Sequence, residues 1–387
     1  MSHQYVNGMY IFLFTVLLLL LAYAILMAYY NRAWNKIPAY VNTPSATLNI
    51  KVTVIIPARN EEKNIGNCLT SILHQSYPSD LLEVIVVDDH STDRTVEIVQ
   101  SFKRLSVTLL RLQDFTDEKN LAAHKKKAIE IAIKKSSGEM IVTTDADCVA
   151  PINWIYQIVD LYIQREAVFI AAPVKLVDRH SLLSIFQSLD FITMQGITGA
   201  AVYKKIYPMC NGANLAYSKK VFEEVDGFKG VDTIASGDDM FLMQKVSMKF
   251  PERVYFLKSK DAIVETEPAA TWKAFLNQRV RWSSKADKYD NKKIFLTLLF
   301  VYVLNFCLLV FLIASFWTVD WLLVFLIFII AKTIIEFPFV RTVANFFGQA
   351  YLMRYFFFLQ PLHIAYIVIA GTLGKFGSYE WKNRKVK

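Results

Sequence analysis

Residues 51 to 62, KVTVIIPARNEE, hold the pattern that decides the fold of this chain. The run from Val52 to Ile56 is short and almost entirely apolar, and the polar loop ARNEE follows it directly. A strand buried on both faces has this pattern, and such strands belong to parallel sheets that helices cover on both sides. We therefore predict a central parallel strand with a polar loop at its carboxyl end.

The same pattern recurs further along the chain. LEVIVVDDHSTD (82–93) predicts a second strand at Val84 to Val87, VTLLRL (107–112) a third and EMIVTTDADCVAP (139–151) a fourth. The segments between them, NIGNCLTSILHQ, RTVEIVQSFK and AAHKKKAIEIAIKKSSG, have helical periodicity. Strands that alternate with helices at this spacing predict a doubly wound α/β domain, which binds ligands beyond the carboxyl ends of its strands.

Apolar blocks at both ends of the chain predict an integral membrane protein. Hydrophobic residues make up 54% of the chain and the mean hydropathy is +0.30, which is high for a soluble protein. Residues 9–30, 294–316 and 321–340 are each long enough to cross a hydrocarbon core of roughly 30 Å. A cleaved signal peptide is the alternative for 9–30, but its apolar region is too long and no basic residue precedes it.

Residues 352–374 are harder to assign, because Pro361 lies inside the apolar run. Their hydropathy favours a fourth transmembrane helix, whereas the basic tail that follows favours a re-entrant segment that keeps the tail inside. The first apolar block is followed at once by Arg32 and Lys36. The positive-inside rule then predicts that residue 31 onward is cytoplasmic, in an inner or plasma membrane.

Charge and cysteine usage narrow the class of partner. The four cysteines are scattered without metal-ligand or disulfide spacing, as expected in a reducing compartment: Cys68, Cys148, Cys210 and Cys307. Part of the net charge of +9 lies beside membrane segments, where anionic headgroups and phosphate-bearing substrates attract basic residues. We therefore expect the membrane and a phosphate-bearing substrate as partners, and no nucleic acid.

Acidic residues follow two of the predicted strands. Asp145 and Asp147 form a D-x-D pair after the fourth strand, and Asp88 and Asp89 follow the second. A lone D-x-D is more often a solvated turn, but carboxylates at the ends of adjacent strands face one crevice. We expect these strands to be adjacent. Oxygen ligands of this kind suit Mg²⁺ or Mn²⁺ bound to a diphosphate.

Asp238 and Asp239, in ASGDDMFL, allow two interpretations. Acids are favourable at a helix N-terminus because of the helix dipole, so a purely structural role is about as good an explanation as a catalytic one. The lysines at 125–127 are better explained as a solvated helix face than as a phosphate site, although one of them could reach a phosphate. These alternatives stay open from the residues alone.

Residues 271–293 predict an amphipathic helix that lies at the membrane surface. Gln278 and Arg281 lie on its polar side, and Trp282 is placed to act as an interfacial anchor. Attraction to headgroups explains the basic residues of this segment without any catalytic role.

Six segments, taken in order, resemble the membrane-integrated family 2 glycosyltransferases: VIIPARNEE, VVDDHSTD, TTDADC, CNGANLAY, GDDMFL and QRVRW. This family includes cellulose, hyaluronan and poly-N-acetylglucosamine synthases and the related ceramide glucosyltransferases. The resemblance covers about residues 50 to 290. It implies a GT-A nucleotide-diphospho-sugar transferase domain over residues 50–270, a nucleotide-sugar donor such as a UDP-sugar, Mg²⁺ or Mn²⁺, and inversion at the anomeric carbon.

The resemblance also implies roles for single residues. Donor binding would involve Arg59, Glu61, Asp88 or Asp89, Lys125, Asp145, Gln278 and Arg281. Asp145 and Asp147 would bind the metal, Asp239 would be the general base with Asp238 beside it, and the acceptor would contact Trp282, Asn211 and Gly212. The sequence departs from the family at Asp238, where many members have Glu, and at Glu130, where Asn is usual.

Three functions are compatible with these motifs. A lipid glycosyltransferase adds one sugar to a polyprenyl phosphate, glycolipid or sphingolipid, and a processive synthase extends and exports a polysaccharide. The three or four predicted spans favour the lipid acceptor, because channel-forming synthases of the family usually carry more. A non-catalytic scaffold is the third alternative, but the intact acidic and QxxRW motifs argue against it.

Overall fold

The computed structural model describes residues 3–40, 49–102, 106–116, 123–234, 236–285, 291–377, 380–381 and 384–385. The chain divides into two compact units. The helical unit comprises Met1–Lys36, Arg179–Gly196 and Ala269–Lys387. The sheet unit comprises Ile37–Asp178 and Ile197–Pro268.

The helices and strands of the described residues are as follows. The helices are α1 (His3–Lys36), α2 (Ile65–Leu73), α3 (Thr95–Ser101), α4 (His124–Lys135), α5 (Trp154–Gln164), α6 (Leu182–Tyr203), α7 (Lys219–Glu224), α8 (Asp238–Lys249), α9 (Trp272–Ser283), α10 (Lys292–Ala314), α11 (Val319–Phe346) and α12 (Met353–Phe376). The strands are β1 (Val52–Ala58), β2 (Leu82–Asp88), β3 (Val107–Arg111), β4 (Met140–Thr143), β5 (Cys148–Val149), β6 (Phe169–Ala171), β7 (Val174–Leu176), β8 (Leu215–Ser218), β9 (Val254–Phe256), β10 (Val264–Thr266), β11 (Glu380–Trp381) and β12 (Arg384–Lys385).

A seven-stranded sheet in the order β3-β2-β1-β4-β8-β6-β9 forms the centre of the sheet unit. The first four of these strands are parallel, and β8 runs antiparallel to both β4 and β6. A smaller sheet has the order β5-β10-β7. This architecture confirms the predicted α/β fold, while the expectation that the two acid-bearing strands are adjacent was wrong, because β1 lies between β2 and β4.

The register of the parallel strands brings their polar loops to one edge. Ala58 at the end of β1 pairs with Asp88 at the end of β2, and Thr143 at the end of β4 pairs with Leu215 at the start of β8. The loops after β1, β2 and β4 and the loop before β8 therefore leave the sheet on the same side. The strands themselves are buried, and each buried valine or isoleucine contributes roughly 1.5–3 kcal/mol of transfer free energy.

Four helices of the described residues are long and apolar enough to cross a membrane: Asn7–Lys36, Lys292–Ala314, Val319–Phe346 and Ala350–Phe376. The segment that the sequence left open, 352–374, lies in the continuous helix α12 apart from its first residue, and α12 contains Pro361 in its interior. The surface helix predicted for 271–293 is shorter in the structure and ends at Ser283. A new helix begins after Asn291, whose side chain caps it by accepting the Lys293 N–H at 3.0 Å, and residues 286–290 lie outside the described residues.

A buried polar network joins three of these apolar helices. Lys332 and Glu336 of α11 form an ion pair at 2.7 Å, and Lys332 is fully buried. Gln360 of α12 accepts from Lys332 at 2.9 Å and donates to Glu336 at 2.8 Å, and Tyr23 of α1 donates to Glu336 at 2.5 Å. Ionisable groups in such helices are stable only when paired, so this network fixes how α1, α11 and α12 pack.

Candidate active site

The loops after β1 and β2 are bound to each other at the edge of the sheet. The Asp89 N–H donates to Ala58 O at 2.8 Å, and Arg59 Nη1 donates to Asp89 O at 2.9 Å. The Glu61 N–H donates to Thr95 Oγ1 at 2.7 Å at the start of α3. The structure thus brings together Arg59, Glu61, Asp88 and Asp89, which the family resemblance assigns to donor binding, and that role stays a prediction.

Asp89 is buried and is surrounded by basic groups. The Nδ1 atoms of His90 and His124 each lie 2.9 Å from Asp89 Oδ1, and Arg59 Nη1 lies 3.8 Å from the same oxygen. Neither histidine was predicted from the sequence to take part in the site. His90 directly follows Asp89, and His124 directly precedes Lys125. Their position next to predicted site residues was the one feature of the sequence that could have pointed to them.

Lys125 connects two of the predicted acidic motifs. Its Nζ lies 2.6 Å from Asp145 Oδ1 and 3.6 Å from Asp238 Oδ2. Burial by itself lowers the pKa of Lys125, but the negative charges of Asp145 and Asp238 outweigh burial and hold that pKa well above its usual range. The lysine therefore stays positively charged at physiological pH, beside the carboxylates that are predicted to face a diphosphate.

The interpretation of residues 125–127 as a solvated helix face was wrong for the first two lysines. Lys126 is 2% exposed. Its Nζ donates to three carbonyl oxygens of the loop before α8, those of Val231, Ile234 and Ser236, at 2.6, 2.7 and 3.4 Å. Three acceptors satisfy the three N–H groups of the ammonium, which explains why a lysine is tolerated in this interior.

Asp145 and Asp147 follow β4 on either side of the buried Ala146, and both are partly exposed. Two thiols lie near this pair: Cys68 Sγ is 3.7 Å from Asp145 O, and Cys148 Sγ is 3.6 Å from Asp147 Oδ1. Burial raises the pKa of both thiols, so they remain protonated and are poor metal ligands. The carboxylates are the hard oxygen donors of this region, and they fit a cation such as Mg²⁺ or Mn²⁺.

Asp238 and Asp239 form the first turn of α8, directly after Gly237. Asp239 accepts two backbone hydrogen bonds, from the Gly212 N–H at 2.9 Å and from the Met240 N–H at 2.7 Å. A Cβ atom at Gly212 would lie 3.2 Å from Lys125 Nζ and 3.5 Å from Asp239 Oδ2. A glycine here leaves room for both charged groups. The bond from the Gly212 N–H shows that Asp239 does more than interact with the dipole of α8.

The structure gathers four predicted site residues around this glycine: Lys125, Asp145, Asp238 and Asp239. The neighbouring Asn211 shapes the same loop, because its Oδ1 accepts the Ala213 N–H at 3.0 Å. A carboxylate pair, a fixed ammonium and a metal-compatible D-x-D thus occupy one edge of the sheet unit. Such a set of groups suits the displacement of an anionic leaving group.

Gln278, Arg281 and Trp282 are half-buried on α9 of the helical unit, and their binding roles stay predictions. Arg279 lies between them and is 3% exposed, and the sequence did not predict a role for it. Its Nη2 lies 2.7 Å from Asp190 Oδ2, and its guanidinium carbon lies 4.2 Å from the ring centroid of Trp282. Arg279 thus ties Trp282 to a carboxylate of α6, a contact with no local sequence signal.

Two family models match the chain. The model of glycosyl transferase family group 2 matches residues 140–368, and the model of glycosyl transferase family 2 matches residues 53–226. Together they include the D-x-D, the GDD and the QRVRW segments.

Curated relatives are glycosyltransferases. The chain is 29% identical over 237 residues to the probable glycosyltransferase YdaM of Bacillus subtilis strain 168, which covers 60% of this chain and 54% of YdaM. It is 30% identical over 159 residues to the poly(ribitol-phosphate) beta-N-acetylglucosaminyltransferase TarS of Staphylococcus aureus, covering 41% of this chain and 23% of TarS. The chain thus spans about half the length of the first relative and less of the second.

A solved structure shares the fold. The mannosyltransferase PcManGT from Pyrobaculum calidifontis, in complex with GDP-Man and Mn²⁺, superimposes with a TM-score of 0.57 at 21% sequence identity. The match covers 94% of this chain and 98% of that one. At this level of identity the likeness concerns the fold.

Proposed function

The chain belongs to glycosyl transferase family group 2, and from that premise we propose that it moves one sugar from a nucleotide-diphospho-sugar, a UDP-sugar, to a lipid acceptor in the membrane. The observation that carries the proposal is the cluster of Lys125, Asp145, Asp238 and Asp239 around Gly212. It supplies a base, a fixed positive charge and a metal-compatible carboxylate pair at the ligand-binding edge of an α/β sheet.

In the proposed reaction, Asp239 takes the proton of the acceptor hydroxyl as that oxygen attacks the anomeric carbon. The new C–O bond forms on the face opposite the diphosphate, the bond from the carbon to the phosphate oxygen breaks, and the configuration inverts. The nucleoside diphosphate leaves with the bonding electron pair. Asp239 is prepared for this role because the N–H groups of Gly212 and Met240 hold its carboxylate in one orientation.

The leaving diphosphate needs positive charge near its oxygens. Lys125 supplies a fixed one, since its ion pairs with Asp145 and Asp238 hold the ammonium in place. Asp145 and Asp147 are the residues that would hold Mg²⁺ or Mn²⁺, which when bound neutralises diphosphate charge. Mn²⁺ in the related mannosyltransferase supports this assignment.

The nucleoside is assigned to the paired loops after β1 and β2. Asp88 and Asp89 are acceptors for the N–H groups of a base, and Arg59 and Glu61 complete this side. The donor named for the structurally similar mannosyltransferase PcManGT is GDP-Man, a guanosine nucleotide. A uridine nucleotide remains our proposal, because it is the donor that the motif resemblance implies.

The acceptor is assigned to the membrane because four helices of the described residues are long and apolar enough to cross it. A glycolipid or a sphingolipid presents a hydroxyl at that surface, and such a hydroxyl needs Asp239 as its base. A polyprenyl phosphate would attack through an oxygen that is already ionised, so the base role of Asp239 applies to the hydroxyl acceptors. Gln278 and Arg281 keep their proposed role in donor binding, and Trp282, Asn211 and Gly212 their proposed role with the acceptor. The catalytic domain is proposed to lie in the cytoplasm, where nucleotide sugars are made.

A processive polysaccharide synthase is the second candidate, favoured by the QRVRW segment at residues 278–282. Product analysis separates the two. Membranes that contain the protein, and matched membranes that lack it, are incubated with a panel of UDP- and GDP-sugars and their lipids are analysed by mass spectrometry. A lipid that gains the mass of one sugar supports our proposal, a ladder of lengths supports the synthase, and no product with any donor contradicts both.

A further inference from the structure

Asp89, His90 and His124 form a cluster of metal-binding groups that shares no residue with the D-x-D pair. One ligand atom from each residue lies within 4.8 Å of the others. The two imidazole rings meet edge to face, with centroids 5.9 Å apart. We propose that these three residues form a second metal site, which takes Zn²⁺ or another divalent ion that binds imidazole.

Hydrogen bonding accounts for only one of the two histidines. His90 Nδ1 is in hydrogen-bond geometry with Asp89 Oδ1 at 2.9 Å. His124 Nδ1 lies equally close to that oxygen and is buried, yet it makes no hydrogen bond within the described part of the chain. A buried nitrogen of this kind, next to a carboxylate oxygen, is a polar group that a bound cation would satisfy.

The surroundings select the kind of ion. Arg59 Nη1 lies 3.8 Å from Asp89 Oδ1, and its charge opposes the entry of any cation. A bound ion must therefore gain affinity from nitrogen ligands, which Mg²⁺ does not favour and Zn²⁺ does, at bond lengths of about 2.0–2.2 Å to histidine and carboxylate. Three protein ligands leave one tetrahedral position for water, and the His90 side chain, 42% exposed, gives the ion a path from solvent.

The consequence for catalysis rests on the proposed function. Asp89 is one of the carboxylates assigned to the nucleobase, so an ion held by Asp89 and a bound nucleotide compete for it. Zn²⁺ is then an inhibitor of donor binding, and by linkage the nucleotide weakens Zn²⁺ binding by the same factor.

The test measures metal binding in the full-length protein purified in detergent, without donor or acceptor. Co²⁺ serves as the probe, since cobalt bound through nitrogen at low coordination number absorbs visible light far more strongly than cobalt held by oxygen ligands alone. The variants are His124→Gln and His90→Asn. Asparagine is chosen for position 90 because it tolerates the left-handed backbone there, where φ is 57°. The controls are His74→Gln, an exposed histidine, and Asp147→Asn, which disables the D-x-D pair.

The inference predicts a strong cobalt band in the wild type and in both controls, which Zn²⁺ abolishes by displacement. Each ligand variant should bind Co²⁺ more weakly by more than the roughly 10-fold to 100-fold that loss of an outer-shell partner costs. Equal binding by the wild type and His124→Gln, or loss of the band in Asp147→Asn alone, overturns the second site. Neither result depends on sugar transfer, so a failure here leaves the proposed function standing and an inactive enzyme leaves this test readable.

Discussion

Replacing Arg279 with Met removes one half of a buried ion pair from the helical unit. The side chains of Arg279 and Asp190 are 3% and 5% exposed, and their charged atoms lie 2.7 Å apart. The guanidinium carbon also lies 4.2 Å from the Trp282 ring centroid and 4.9 Å from that of Phe275. The substitution leaves the Asp190 carboxylate buried without its guanidinium and leaves both rings without their cation.

The expected cost follows from this geometry. Breaking a buried ion pair by removing one partner destabilises a protein by about 3–5 kcal/mol, because the remaining charge stays desolvated. At about 2 °C per kcal/mol for a large domain, the apparent Tm should fall by roughly 6 to 10 °C. Removing both charges, in Arg279→Met with Asp190→Leu, should recover most of the loss, since paired apolar residues of similar volume replace such pairs with little penalty.

The assay is thermal unfolding of the purified protein in detergent, followed by intrinsic fluorescence. Lys205→Met is the matched control, because its ion pair with Glu252 is solvent-exposed and such pairs contribute about 1 kcal/mol or less. Two results would show that Arg279 and Asp190 are not strongly coupled. One is an Arg279→Met variant that unfolds within about 1 °C of the wild type. The other is a double variant, Arg279→Met with Asp190→Leu, that is less stable than Arg279→Met alone.

Three further predictions concern the metal, the loop before α8 and the membrane topology. Asp147→Asn should lose Mn²⁺-dependent UDP binding while its Tm is retained, and unchanged Mn²⁺-dependent binding contradicts the metal assignment. Lys126→Met removes the ammonium that donates to the carbonyl oxygens of Val231, Ile234 and Ser236. We therefore expect a loss of roughly 2–3 kcal/mol in unfolding free energy and slower transfer with UDP binding kept; a wild-type Tm argues against a stabilising role for these bonds. A cysteine at Ser378 should react with a membrane-impermeant maleimide in intact cells if α12 is a fourth span and the sheet unit is cytoplasmic, whereas reaction only after permeabilisation refutes that topology.

The sequence predicted well those features that depend on short-range pattern. The apolar runs of β1 and β2 and the polar residues at their ends were readable because a doubly wound sheet repeats one local unit. The apolar blocks were readable for the same reason, since a membrane-crossing helix is a continuous stretch of suitable composition.

The contacts that make the site were not readable from pattern. Lys125, Asp145, Gly212 and Asp239 are far apart along the chain, and only the sheet register brings them together. The lysine-rich start of α4 looked solvated because charge runs usually are, yet Lys126 is buried against carbonyl groups that no local signal announces.

Helix α9, which bears QRVRW, is a second case in which the sequence did not reveal a tertiary contact. Its polar residues were assigned to solvent and headgroups by helical periodicity, and Arg279 between them turned out to be buried against Asp190 of α6. Periodicity reports which residues share a face of a helix. It does not show that the neighbouring helix α6 carries a carboxylate, that of Asp190, within reach of Arg279.

Asp239→Asn is the decisive variant, because we propose Asp239 as the general base of the sugar transfer. Asparagine keeps the size of the side chain and one acceptor atom for the N–H groups of Gly212 and Met240, so a Tm measurement can separate any structural cost. Transfer and UDP binding are measured side by side, with the exposed Asp80→Asn as the matched control. We expect transfer by Asp239→Asn to fall by a factor on the order of 10² to 10⁴ while UDP binding is retained; transfer at nearly the wild-type rate would rule out the base role.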